Sequence, residues 1–374
     1  MKILAIESSC DETAVAVIEA PSFAEASEGK YGNTIAVLSN VVSSQIAMHE
    51  RYGGVVPTLA AREHAANIGH VYETALAQAS EVTGHKLQSS DIDLLAVTRG
   101  PGLGPALLVG LTFARTLAWR YDKPLIGVDH MDGHIHSNWL SPIAEIKTQT
   151  SKIKKVEFPA LNLIVSGGHT DLVLMRDHGD YKIIGETLDD AVGEAFDKVA
   201  RLLGLSYPGG PKVSTLALQG NPTAYNLPKP MLKSPDFNFS YSGLKTAVLY
   251  LIRDITSGVR ELTDTEKADI AASFQEAAID VLIQKTRRAA EAHAVPTIML
   301  SGGVSANTLL RERLTAMCAD IGAHCIIPAL EYTGDNAAMI AVAAYFAHQR
   351  VVVSDWQSVQ MDANLRLGIS SSTS

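Results

Sequence analysis

Apolar and polar positions alternate along the chain in blocks that predict strands and helices in turn. Residues 2–7 and 13–19 are β-rich apolar runs joined by the polar turn Ser8-Ser9-Cys10-Asp11-Glu12, which predicts a hairpin. Residues 60–82 repeat apolar positions at helical spacing. Residues 94–98 read as a short buried strand, and 105–119 as a helix opened by a proline in its first turn. A strand at 125–128 runs into a histidine-rich segment, 129–138. The Ser/Glu/Gly-rich stretch 20–33 and the lysine-rich stretch 147–155 read as solvated loops.

After those lysines the pattern restarts. Residues 161–165, the turn Ser166-Gly167-Gly168-His169-Thr170, and residues 172–175 again read as strand, turn, strand. Helices are predicted at 191–203, 242–253 and 265–292. A strand at 297–300 leads through Ser301-Gly302-Gly303 into a helix at 304–317, and a last helix spans 335–348. Two strand–turn–strand units about 155 residues apart predict a duplicated architecture. Strands alternating with helices make the class α/β, mixed sheets flanked by helices, with a ligand cleft expected between the halves.

Composition narrows the possibilities. The chain has 374 residues, 47% of them hydrophobic and 19% charged, enough to bury sizeable cores. Its net charge of −9 is unlike a free-standing binder held by phosphate contacts, so a nucleic-acid partner would need local patches or another subunit. Three cysteines, Cys10, Cys318 and Cys325, with no C-x-x-C pair, exclude a disulfide framework and a four-cysteine zinc site. Acidic residues Glu7, Asp11 and Glu12 interrupt the apolar start before a signal segment forms. The longest apolar stretch, 337–347, is too short to span a bilayer. A soluble cytoplasmic protein without membrane contact is expected.

The chemistry concentrates in a few segments. His130 and His134 are four apart, so on a helix both imidazoles share a face and could grip one metal ion; paired surface or capping histidines are the alternative. The segment follows a strand, where open α/β sheets place ligands, and Gly133 suggests a close approach. His136 faces away. A zinc protease needs Glu in the second position of H-E-x-x-H as general base; Met131 stands there. Asp335, opening a helix, is either a cap or a third ligand. Two histidines and a carboxylate leave open positions, as in catalytic Fe(II) or Zn(II) sites.

Ser166-Gly167-Gly168 and Ser301-Gly302-Gly303 each follow an apolar strand, where exposed N–H groups can hold a phosphate or ribose. Together with Ser8-Ser9-Cys10 they favour nucleotide binding over ordinary tight turns. No P-loop occurs, and Gly100-Pro101-Gly102-Leu103-Gly104-Pro105 has proline where the dinucleotide fingerprint needs glycine. Asp11, Glu12, Asp189, Asp190, Glu194 and Asp197 are carboxylates at turns or helix starts, where most such residues cap. Lys147, Lys152, Lys154 and Lys155, or Lys285, Arg287 and Arg288, could meet phosphates; a solvated loop and an exposed helix face are the plainer readings.

These segments, in order, resemble the TsaD (Gcp, YgjD) family of tRNA N6-adenosine threonylcarbamoyltransferases. The resemblance rests on Ile6-Glu7-Ser8-Ser9-Cys10-Asp11-Glu12-Thr13, Gly53-Gly54-Val55-Val56-Pro57, Arg99-Gly100-Pro101-Gly102-Leu103, and His130 with His134. It continues through Val165-Ser166-Gly167-Gly168-His169-Thr170, Glu194-Ala195-Phe196-Asp197-Lys198, Tyr207-Pro208-Gly209-Gly210-Pro211, Ser242-Gly243-Leu244-Lys245-Thr246, Ser301-Gly302-Gly303-Val304-Ser305-Ala306-Asn307 and Thr333-Gly334-Asp335-Asn336. Asp129 and Asp132 depart from the residues common there, and the stretches 20–33 and 143–157 are extra.

The resemblance implies duplicated RNase H-like domains of the actin, heat-shock ATPase and sugar-kinase class, one built from 1–135 plus 330–374 and the other from 136–329. It implies one divalent metal, Fe(II) or Zn(II), on His130, His134 and Asp335. It implies a threonylcarbamoyl-AMP site at Ile164, Val165, Ser166, Gly167, Gly168, Asp197, Gly210 and Asn307. Asp11 and Glu12 become the expected catalytic carboxylates. The substrate would be a tRNA reading codons that begin with A, and the partners TsaB-like and TsaE-like subunits if the chain is bacterial. An ATPase or kinase of the same fold class, and a non-catalytic scaffold, are the alternatives.

Overall fold

A computed structural model describes residues 1–21, 35–141, 156–257, 259–350 and 355–368. Most of the two extra stretches, the lysines at 147–155 and the Ser/Thr tail lie outside the described residues. The chain divides into two compact units. One holds Met1–Lys155, Asp177–Tyr181 and Pro328–Ser374; the other holds Val156–Arg176 and Lys182–Ile327.

The first unit is built on a five-stranded sheet. Strand β1 (Lys2–Glu7) pairs antiparallel with β2 (Glu12–Glu19), and β2 with β3 (Ala36–Ser44). A short helix α1 (Ile46–Glu50) and the long α2 (Pro57–Thr83) follow, the latter ended by Gly84 at φ +73°. Strand β4 (Leu94–Gly100) lies parallel to β1, helix α3 (Gly104–Tyr121) carries the chain across, and β5 (Leu125–Asp129) lies parallel to β4. The order is β3-β2-β1-β4-β5. β5 runs directly into helix α4 (His130–His136).

The second unit repeats this plan. Strand β6 (Ala160–Val165) pairs antiparallel with β7 (Thr170–Asp177), and β8 (Asp180–Gly185) follows. Four helices come next: α5 (Val192–Leu202), α6 (Gly209–Ala217), α7 (Ser242–Thr256) and α8 (Asp264–His293). Strand β9 (Thr297–Ser301) is parallel to β6, helix α9 (Thr308–Ile321) crosses over, and β10 (His324–Ile326) is parallel to β9. The order β8-β7-β6-β9-β10 matches the first sheet strand for strand. The last helix, α10 (Ala337–His348), returns to the first unit and packs on β1 and β2.

The central strands β1, β6 and β9 are buried nearly throughout, on both faces of their sheets, and each unit has its own core. Leu4, Ile6, Val15, Val17 and Leu111 belong to one; Leu161, Leu163, Phe196, Phe274 and Leu300 belong to the other. Two helix starts differ from the sequence expectation. Gly302, at φ +87°, turns the chain out of β9 into a 3-10 turn, so α9 begins at Thr308 under an Asn307 cap rather than at 304. Asn336, not Asp335, caps α10, which leaves the Asp335 side chain outside the helix. No described helix is long and apolar enough to cross a membrane.

Candidate active site

In the first unit, helix α4 starts where β5 ends, and the Asp129 side chain caps it by accepting from Met131 N at 2.8 Å and Asp132 N at 3.4 Å. One helical turn then sets the His130 and His134 rings edge to face, their centroids 4.6 Å apart and their planes at 77°. Asp335, brought in by the segment before α10, places Oδ1 3.2 Å from His134 Nε2 and 3.5 Å from His130 Nε2. One donor atom from each of the three lies within 4.8 Å of the others. Both histidines are buried. His136 turns away, its ring stacked with His178 and Phe346 and its Nδ1 2.9 Å from Asp132. Gly133 is explained by packing rather than by a ligand: a Cβ there would meet the Ile340 side chain at 2.6 Å.

Carboxylates crowd this group. Glu7, at the end of β1, is wholly buried, and its Oε2 lies 3.2 Å from His130 Nδ1. Burial alone would push Glu7 up, but His130 holds it below the usual carboxylate value. Burial would push His130 down, but Asp335 and Glu7 raise it to about 9. The Glu12 carboxyl is pushed up to about 9, first by burial and then by the charges of Asp335 and Asp11. Burial and the neighbouring Asp11 push the Cys10 thiol up, which disfavours its thiolate. Crowded carboxylates around two imidazoles that share one face fit a divalent cation, whose charge offsets their repulsion. The set of two nitrogens and one oxygen leaves coordination positions for substrate.

Two neighbouring turns hold this wall in place. Leu103 N donates to Ser9 O at 2.8 Å, and a Cβ on Gly102 would strike Ser9 O at 2.7 Å. The glycine-proline run therefore packs against the Ser8-Ser9-Cys10 turn. Behind it, His64 donates from Nε2 to Cys10 O at 3.0 Å and accepts from Thr13 Oγ1 at 2.7 Å.

The second unit contains a cavity of ≈ 340 Å³ between α5, α6 and the start of α9. Gly167, Asp197, Gly210 and Asn307, four of the eight residues that the family resemblance points to, line it together. Ile164 and Val165 do not; they are fully buried in β6. Ser166 and Gly168 are likewise outside the lining, Ser166 Oγ accepting instead from His169 N at 3.1 Å. The Asp197 carboxylate accepts from Gly209 N at 2.7 Å and Gly210 N at 3.2 Å, fixing the start of α6. Asn307 Nδ2 donates to Ser214 Oγ and Gln275 Oε1. Glycines, Phe196, Pro211 and Val304 leave a mostly apolar cavity with few polar groups.

Gly303, in the second of the small-residue turns expected to hold a nucleotide, also lines the cavity, whereas Gly193, Phe196 and Ser214 were not among the expected site residues. Gly193 carried a signal, since a Cβ there would lie 2.5 Å from Ser166 O and the α5 start tolerates nothing larger. Asp189 is a cap, accepting from Ser240, Tyr241 and Ser242. The basic α8 patch is spoken for. Lys285 is buried on Ser234 and Asp236, Arg288 holds the 232–236 carbonyls, and Arg287 pairs with Glu291 and Asp320.

Two mixed sheets of matching order, one beside a His/His/Asp group and the other beside a nucleotide-sized cavity, define a duplicated α/β enzyme of the RNase H-like class. Solved structures of HypF share the fold at 13–14% identity and TM-score 0.56. One is full-length HypF in the phosphate- and nucleotide-bound form, the other T. kodakarensis HypF; each match covers 93% of this chain and 46% or 48% of the other. The chain belongs to the TsaD family, whose model, tRNA N6-adenosine threonylcarbamoyltransferase, matches residues 36–342. A Thermosipho melanesiensis protein of that name is 46% identical over 345 residues, covering 92% of this chain and 94% of its own. Thermosipho africanus and Bacillus thuringiensis (strain Al Hakam) proteins of the same name are 43% and 46% identical, covering 98% and 93% of this chain and 100% and 92% of theirs. The chain is thus a transferase of tRNA modification, and the kinase and scaffold alternatives are not favoured.

Proposed function

We propose that the chain transfers the threonylcarbamoyl group of threonylcarbamoyl-AMP to N6 of the adenosine 3′ of the anticodon, in tRNAs reading codons that begin with A. The carrying observation is the convergence of His130, His134 and Asp335 in a member of this family. In this reading those three hold one Fe(II) or Zn(II) ion. The ion, when bound, supplies Lewis-acid polarisation of the carbamoyl carbonyl.

The chain's own residues do the rest. The cavity of Gly167, Asp197, Gly210 and Asn307 seats the adenosine of the adenylate, with Ile164 and Val165 acting from inside the sheet to hold Ser166 and Gly168 in their turn. Turn N–H groups stabilise charge on the departing phosphate. The adenine amine is a weak nucleophile, so positioning supplies much of the rate. The new N6–C bond forms as the carbonyl–oxygen bond of the mixed anhydride breaks, and AMP leaves with the electron pair. Asp11, or Glu12 once a bound cation offsets the burial and the neighbouring charges that keep its carboxyl protonated, takes the amine proton; alanine at both positions should abolish single-turnover transfer.

The adenosine leaves its stack in the anticodon loop, which costs less than in a duplex. A chain of net charge −9 leans on partners for phosphate contacts, and TsaB-like and TsaE-like subunits in the cytoplasm fit that need. The deciding assay follows labelled threonylcarbamoyl from its adenylate to tRNA with purified partners, for wild type and His134→Ala. Product from wild type alone supports the reading. Equal product from both removes His134 from the mechanism, and product from neither overturns the transferase.

A further inference from the structure

Glu7 ends β1 with its side chain wholly buried, and its carboxylate accepts three hydrogen bonds. Ser9 N donates to Oε1 at 2.5 Å, while Thr98 Oγ1 and His130 Nδ1, the latter at 3.2 Å, share Oε2. The far side of the His130 ring, Nε2, lies 3.5 Å from Asp335 Oδ1. His134 has no such support among the described residues: its Nδ1 is buried without a hydrogen-bond partner there, and its Nε2 lies 3.2 Å from the same Asp335 oxygen.

We infer that Glu7 is a positioning residue for the metal centre, acting through His130. An ionised carboxylate only accepts, so it keeps the proton on Nδ1 and leaves Nε2 free on the side of His134 and Asp335. Ser9 Oγ lies 3.3 Å from the same Nδ1, but a hydroxyl can donate or accept and so cannot choose the tautomer. Ser9 N and Thr98 alone do not explain a buried charge, since a neutral amide would serve both at less desolvation cost. A carboxylate behind a ligating imidazole fixes ring orientation and raises ligand basicity. The inference rests on the His/His/Asp reading of the site.

The test uses the full chain stripped of metal and titrated with Co(II), whose visible spectrum reports its coordination, for wild type, Glu7→Gln and Ser9→Ala. Glu7→Gln should bind about 10–100-fold more weakly, with an altered spectrum, and Ser9→Ala should stay close to wild type. A merely structural role for Glu7 would lower the metal-free melting temperature and leave the affinity of the folded protein unchanged; that result overturns the inference and spares the metal site. No Co(II) binding by wild type overturns both. Should Glu7→Gln fail to fold, nitrogen-15 spectra of the Zn(II)-loaded wild type decide. A proton on His130 Nδ1 with metal on Nε2 supports the inference, and the reverse overturns it.

Discussion

Gly193→Ala isolates the role of a single backbone contact. The added Cβ would sit 2.5 Å from Ser166 O, 2.9 Å from Ser166 C and 3.0 Å from Gly167 Cα, where ordinary contact begins at 3.4 Å. All three obstacles are backbone, so no rotamer relieves the clash, and the turn after β6 or the start of α5 must move by nearly the missing 0.9 Å (3.4 − 2.5). Overpacking of this kind costs about 1–3 kcal/mol. Gly167 and Gly193 both line the cavity, so the shift also deforms the proposed adenylate seat. A displacement near 1 Å can lower turnover about 100-fold. Gly69→Ala on α2 is the control: nothing lies within 4 Å of its Cβ, and replacing an exposed helical glycine should stabilise by about 0.5–1 kcal/mol. Thermal melts and calorimetric titration with AMP read both effects. If Gly193→Ala melted like wild type and bound AMP within twofold of it, the claim that this backbone is rigidly fixed would be refuted.

Other expectations follow from the same geometry. His134→Ala should leave the purified protein without stoichiometric metal by elemental analysis, since it removes one of three donors. Gly302→Ala forces a side chain onto a φ of +87° with its Cβ 2.4 Å from Val165 O, and should lose about 2–4 kcal/mol in urea unfolding. Lys285→Met should cost about 1–2 kcal/mol through its lost bonds to Ser234 and Asp236, while tRNA affinity in a filter-binding assay stays unchanged. Arg260 and the Thr263 cap hold the Glu266 carboxyl down to about 2. Its stabilising effect is therefore full above the ordinary value near 4.3 and lost as pH falls toward 2. The melting difference between wild type and Glu266→Gln should narrow across that window.

Much of the fold was legible because it is written locally. The hairpin of β1 and β2 and its counterpart of β6 and β7 show as apolar runs around short polar turns, and the long helices show by their period. Strand β3 was not visible, since Ser39, Asn40, Ser43 and Ser44 break its apolar pattern where it lies at the sheet edge. The His130/His134 pair was legible from helical spacing alone. Asp335 stayed open between a cap and a third ligand on spacing alone, and only the family resemblance joined it to the histidines; the fold shows Asn336 doing the capping. Glu7 escaped notice for a related reason. It looks like the polar end of a strand, and its partners Thr98 and His130 come from β4 and α4. The cavity of the second unit is similarly non-local, drawing on three helices.

The return of the chain's end to the first unit has a consequence for biosynthesis. Helix α10 covers β1 and β2, and the segment before it delivers Asp335, so neither the first core nor the donor set is complete until nearly all of the chain has been made. At about 5–20 residues per second, Asp335 leaves the ribosome roughly 10–40 s after His134. During that interval the nascent first sheet lacks the layer that α10 supplies, and only at its end have all the strands of the second sheet, β6 to β10, been made. On the proposed reading, ion loading would therefore be a late event of maturation, and a product ending before Asp335 would carry both imidazoles but not the complete donor set.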